Sequence, residues 1–223
     1  MMLLAADLHV HTLLSPCASR DMTPLAVAAA AAVRGIGMIA VCDHNCTGSI
    51  TAAIAAAAGM TDGPFVIPGI EITTAEEAHV LGWFPTVEAA DAVCAEVTAG
   101  MPPGQPEGAA SMLSLEQTVE LIHRHGGLAV AAHVDRPSFS VPSQLGFIPP
   151  EVPFDGLEIS SAGAAAGRAA AFAIHGLPLV SSSDAHFPDD LGAGLTVLEV
   201  ERPGFQELAH ALMGRLGRRC AVA

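Results

Sequence analysis

Two short stretches carry histidines and carboxylates at spacings that suit metal ligation. "DLHVHT" sets His9 and His11 two residues apart, and "SSDAH" does the same for Asp184 and His186. On a β-strand, side chains alternate with period two, so each pair points to one side and can grip a single ion. Imidazole nitrogen mixed with carboxylate oxygen suits Zn, Mn or Fe, and a carboxylate such as Glu71 can bridge two ions. If two such ions lie a few ångströms apart, a water bridging them becomes hydroxide near neutral pH, a nucleophile suited to hydrolysis.

The elements that must position these residues are legible as β-favouring runs alternating with alanine-rich helical stretches. Seven strands are expected: "AADLHVHT", "GMIAVCDHN", "PFVIPGIEIT", "HVLGWF", "GLAVAAHV", "GLEISS" and "LPLVSSSDAH". Between and after them lie helical segments, among them "TPLAVAAAAAVR", "SLEQTVELIHRH", "AAGRAAAFAIH" and "FQELAHALMGRL". Thr23 before Pro24 reads as a helix N-cap, and Ser114 with Gln117 as a capping box. The alternation predicts a parallel sheet covered by helices. Most strands end in a polar cluster: His9 and His11, Asp43 and His44, Glu71, His133 and Asp135, Glu158, then Asp184 and His186. In such folds these ends share one face, where sites are built. His123, His125, His175 and His210 fall in predicted helices and read as structural.

A chain of 223 residues suits one barrel-sized domain, residues 1–223. Its mean hydropathy of +0.48 reflects alanine, no apolar run reaches the length of a membrane span, and "MMLLAA" lacks a basic flank. A cytoplasmic location without membrane partners is therefore expected. Five cysteines without an export signal predict free thiols. Cys42 and Cys46 flank Asp43 and His44 but lack a second ligand pair for structural zinc, and Cys42 is expected to face the helices. A formal charge of −14, with nine arginines and no lysine, argues against duplex nucleic acid as a partner. "MPPGQPEGAASM" (101–112) reads as an exposed loop.

Six motifs in order, "DLHVHT", "CDHN", "GIEIT", "HVLGWF", "AAHVDR" and "SSDAH", resemble the PHP (polymerase and histidinol phosphatase) family of metal-dependent phosphoesterases across nearly the whole chain. The resemblance implies an α/β fold, a distorted (β/α)7 TIM-like barrel with two or three divalent metals. Carried over by motif, His9, His11, Glu71 and Asp184 hold one metal, and Glu71 bridges to a second on His79 and His133. A third sits on His44 and His186. His79 opens its strand instead of closing it, which implies an irregular or antiparallel segment after Glu71. Where many members place an aspartate on the third metal this chain has Pro16, followed by Cys17. The site is thus binuclear, or Cys17 or water completes a third position.

Around that centre, Asp43 and Asp135 are the candidate general acids or orienters of ligand histidines, and Asp7 a supporting residue. Arg136, then Arg20 and Arg168, are candidate phosphate clamps. The resulting expectation is a metal-dependent phosphoesterase acting on a small-molecule phosphomonoester of the nucleotide or sugar phosphate type. The alternatives are an amidohydrolase-type metal hydrolase, for which the chain lacks a bridging lysine, and a non-catalytic regulatory PHP-like domain.

Overall fold

The computed structural model describes residues 1–105 and 108–223, so two residues of the 101–112 loop lie outside the description. The seven expected strands form as β1 (Met2–Val10), β2 (Met38–Val41), β3 (Phe65–Thr73), β4 (His79–Trp83), β5 (Leu128–Ala131), β6 (Gly156–Ser160) and β7 (Leu179–Ser182). Two more, β8 (Thr196–Val200) and β9 (Arg219–Val222), extend the sheet beyond β1. The order is β7-β6-β5-β4-β3-β2-β1-β8-β9. The sheet curls until β1 meets the chain after β7, through a parallel bridge between Val10 and Ala185 and a 3.1 Å hydrogen bond from His11 N–H to the Ala185 carbonyl. The result is the expected distorted barrel, nearly closed.

Most of the core pairs are parallel, but β4 runs antiparallel to both β3 and β5. A five-residue connection after Thr73 returns the chain so that Thr73 pairs with His79. This reversal brings His79, first in its strand, to the end of the barrel where Glu71 lies.

Helices α1 (Pro24–Val33), α2 (Ile50–Ala58), α3 (Val87–Ala99) and α4 (Leu115–Arg124) cover the outside. The Thr23 side chain accepts from Ala26 N–H, and Ser114 with Gln117 closes the expected capping box. The single helix expected around "AAGRAAAFAIH" is instead α6 (Ser161–Ala165) and α7 (Ala169–Phe172), after the short α5 (Val141–Leu145). Gly167 at φ +71° interrupts it, a conformation that a helix cannot contain. Helix α8 (Phe205–Leu212) precedes β9. Among the described residues no helix is long and apolar enough to cross a membrane.

Two apolar layers result. Leu4, Ala6, Leu8, Met38, Ile67 and Trp83 belong to the core inside the barrel, while Val10, Ile39, Val41 and Ile70 pack with the helices. The switch from Leu8 to Val10 marks a bulge. Asp7 pairs with Ile39 and Val10 with Val41, so β1 has one residue more than β2 over this interval. Such an insertion re-aims the following side chains. The carbonyl of Leu8 accepts from the Trp83 indole N–H at 3.0 Å and the Cys42 thiol at 3.6 Å. Cys42 therefore faces the barrel core, not the helices, and a structural zinc role has no support there.

Candidate metal centre

The bulge separates residues that strict alternation would have kept together. His9 and His11 turn into the barrel mouth, whereas Asp7 accepts hydrogen bonds from Ser183 N–H (2.9 Å) and Gly192 N–H (2.8 Å). Its role is to hold the segments on either side of Asp184, and no ligand histidine bonds to it among the described contacts. Burial raises its carboxyl to about 6 against these hydrogen bonds.

His9 Nδ1 lies 3.0 Å from Glu158 Oε2, and His11 Nδ1 lies 2.8 Å from Ser15 Oγ. The Ser15 hydroxyl donates to Asp43 Oδ1 (2.7 Å), so its oxygen accepts from His11 Nδ1–H. Both rings thus carry their proton on Nδ1 and present an Nε2 lone pair inward. Those two Nε2 atoms lie 3.0 Å apart. Asp184 Oδ1 is 3.2 Å from His9 Nε2 and 3.0 Å from His11 Nε2, and Glu71 is within 3.4 Å of each. Acceptors converging on acceptors repel one another unless a cation or protons lie between them.

Glu71 is the hub. Its Oε1 lies 2.8 Å from His79 Nδ1 and 3.3 Å from His133 Nε2, and its Oε2 lies 3.0 Å from His44 Nδ1. The buried atoms His44 Nδ1, His79 Nδ1 and Asp184 Oδ1 make no aligned hydrogen bond. Three groups, His9-His11-Glu71-Asp184, His44-Glu71-His79 and His11-His44-His186, each offer ligand atoms within 4.8 Å of one another. Orphaned nitrogen and carboxylate atoms in this arrangement fit divalent cations. His133 and Asp184 also hold left-handed backbone, φ +31° and +51°, at a cost of about 1–3 kcal/mol each.

Without a cation, the carboxylates hold protons on His9 and His44, whereas burial lowers His79. Burial pushes His9 down, but Asp184, Glu158 and Glu71 raise it well above its ordinary value. Burial likewise opposes the rise of His44, which Glu71 and Cys17 bring to about 10. Glu71 is held well below the carboxylate range, against burial, by His79, His9 and His44. Cations must displace these protons, so affinity is expected to climb as pH rises towards the raised values. Calorimetry at pH 7 should register proton release, as a binding heat that depends on the buffer's protonation enthalpy; equal heats in all buffers would contradict it.

The other expected residues divide. Asp43 accepts from Thr12 N–H and Oγ1–H (both 2.6 Å) and from Ser15, which in turn bonds to His11, an arrangement in keeping with the orienting role considered for it. Asp135 accepts from the Ser160 N–H and hydroxyl (both 2.7 Å), which ties the segment after β5 to the end of β6. Arg168 is 3.5 Å from Asp135, and Arg20 is exposed; neither lines the cluster. Arg136 does, and its Nη1 donates to Asp184 Oδ2 at 2.5 Å. Cys17 Sγ lies 3.0 Å from His186 Nε2. Burial opposes ionisation of that thiol, but His186 and His44 draw it down to about 6. His123 and His125 bond to Asp155 and Glu96, away from the centre.

Glu158 was the residue whose role the sequence did not reveal. One oxygen, Oε2, accepts from His9 Nδ1 and from His133 N–H, both at 3.0 Å, and so sets the His9 ring and the His133 backbone at once. The available signal was its position at a strand end. Glu158→Gln is expected to weaken cation affinity about 10–100-fold with the fold intact; isothermal titration showing unchanged affinity would remove that role.

A cavity of ≈ 80 Å³ is lined by His44, Glu71, His133, Arg136, Asp184 and His186, among others. A larger one of ≈ 580 Å³ lies where β2 and β3 begin, near Gly37 and Phe65, and has no titratable side chain in its lining.

A PHP-associated family model, PHP_C, matches residues 164–215. No curated protein matches the chain in sequence. The lesion-specific Endonuclease Q of Pyrococcus furiosus shares the fold at TM-score 0.78 and 23% identity, over 98% of this chain and 58% of that one. Endonuclease Q in complex with a 27-mer duplex substrate, an abasic lesion at its active site, gives 0.74 and 22% over the same shares. A two-domain protein of Bacteroides vulgatus, containing a predicted PHP-like metal-dependent phosphoesterase, gives 0.65 and 17% over 100% of this chain and 65% of that one. The chain thus spans under two thirds of the length of each of these proteins.

The duplex-bound neighbour overturns the exclusion of duplex nucleic acid drawn from net charge. Formal charge is summed over the whole surface, whereas a phosphate meets only the local field, which cations bound among the clustered histidines and carboxylates would make positive. A PHP-associated segment is matched in sequence at residues 164–215, and the chain shares its barrel fold with a protein containing a PHP-like metal-dependent phosphoesterase.

Proposed function

We propose that this chain is a metal-dependent phosphoesterase acting on a phosphodiester of nucleic acid. The observation that carries the hydrolytic reading is the convergence of the His9 and His11 Nε2 lone pairs with Glu71 and Asp184 Oδ1, each ring held in that tautomer by a partner behind it. His9, His11, Glu71 and Asp184 would hold one cation, and Glu71, His79 and His133 a second. Bound there, divalent cations supply a water deprotonated near neutral pH and positive charge for the phosphoryl oxygens.

The chain's own residues do the rest. Glu158 and Ser15 fix the imidazoles, and Arg136, with donors to spare beyond its bond to Asp184, clamps a non-bridging phosphate oxygen. The ≈ 80 Å³ cavity is far below the roughly 300–1,000 Å³ of a pocket that encloses a small ligand. It admits the reacting phosphate and leaves the remainder of the substrate outside, as a polymer requires. The likeness to Endonuclease Q supports the same substrate class.

A panel of esters tests the reading: an abasic duplex, single-stranded DNA, bis(p-nitrophenyl) phosphate, a nucleoside monophosphate and an amide, each with added Mn²⁺ or Zn²⁺. Cleavage of the diesters is expected. Turnover of the monophosphate alone would replace the substrate class, and turnover of the amide alone would replace the reaction.

A further inference from the structure

One side chain at the mouth has no part in the centre as described. Cys17 is exposed in the loop after β1, with its Sγ 3.0 Å from His186 Nε2. His186 Nδ1 bonds to the Asp184 carbonyl at 2.8 Å, so the proton sits on Nδ1 and Nε2 offers a lone pair towards the thiol. A ring nitrogen tied to a backbone carbonyl is how ligating histidines are commonly oriented.

His11, His44 and His186 form one of the three candidate groups. His11, however, is already committed: Nδ1 to Ser15 and Nε2 to the inner group of Glu71 and Asp184. Without it, His44 and His186 alone are too few for a stable site, which takes three or four protein ligands.

We propose that Cys17 completes this outermost position, binding a cation as a thiolate together with His44 and His186. The S–metal bond forms as the thiol proton leaves to solvent. A soft sulfur ligand gives the position a preference for Zn²⁺ over Mg²⁺ or Mn²⁺, unlike the inner positions of nitrogen and oxygen. This inference rests on the metal-centre reading above.

The test uses the full chain, stripped with a chelator and reloaded with Co²⁺. The expected spectrum combines visible d–d absorption from all occupied positions with a near-ultraviolet sulfur-to-cobalt charge-transfer band. Cys17→Ser loses the ultraviolet band and retains the visible absorption of the inner ions, and in Zn²⁺/Mn²⁺ competition it retains less zinc than the parent. Cobalt uptake without the band in the parent, or a band that survives in Cys17→Ser, would overturn the role of Cys17 and leave the inner centre standing. Failure of the parent to take up cobalt would overturn both.

Discussion

Replacing Glu71 by alanine is expected to strip the centre of its inner cations and abolish hydrolysis. One carboxylate lies within 3.4 Å of five imidazoles, those of His9, His11, His44, His79 and His133. Removing it takes a ligand from more than one candidate group at once. The loss in affinity should therefore exceed the about 10–100-fold that removal of a partner behind a ligand costs. The same variant reads out in stability. A cation at 100 times its Kd stabilises the parent by about 2.7 kcal/mol, so Mn²⁺, which the inner positions of nitrogen and oxygen accept, should raise the parent's Tm and leave that of Glu71→Ala unmoved. A variant that kept the metal-induced shift would not have lost its hub.

Trp83→Ala is expected to cost about 3–5 kcal/mol, as deletion of a fully buried aromatic does. The ring is wholly inside the barrel core, and its indole N–H holds the Leu8 carbonyl at the bulge. Trp83→Phe should keep most of the packing and lose about 1 kcal/mol for the hydrogen bond. Because Leu8 precedes His9, this milder variant should also loosen cation binding. Denaturant titration checks both, as a fall in midpoint at constant slope. Equal midpoints for Trp83→Phe and the parent would mean that the bulge does not depend on that bond.

Much of this architecture was legible in the chain because each strand carries its own signal. "DLHVHT" and "GIEIT" place His9, His11 and Glu71 by alternation, and the position of His79 at the start of "HVLGWF" pointed to the reversal that β4 makes. What failed depended on partners. The bulge that turns Asp7 away from His9 exists only in the register of β1 against β2, which no single strand encodes. Strands β8 and β9 pair antiparallel at the β1 side and carry none of the polar strand ends that drew attention to the others. Asp43 and Asp135 stand beside ligands in sequence, but hydroxyls and N–H groups from distant segments claim their carboxylates. Glu158 shows the converse, a strand-end residue whose partners are remote in sequence.

The most direct test follows bound cations and turnover in one sample. The chain, stripped by chelation, is titrated with Mn²⁺ or Zn²⁺ while bound metal and hydrolysis of a phosphodiester are recorded together, alongside His9→Ala. The account predicts no hydrolysis when stripped, recovery in step with the filling of at least two positions, and in His9→Ala one position fewer and no recovery of hydrolysis. Hydrolysis that survives chelation, or full recovery by His9→Ala, would contradict it.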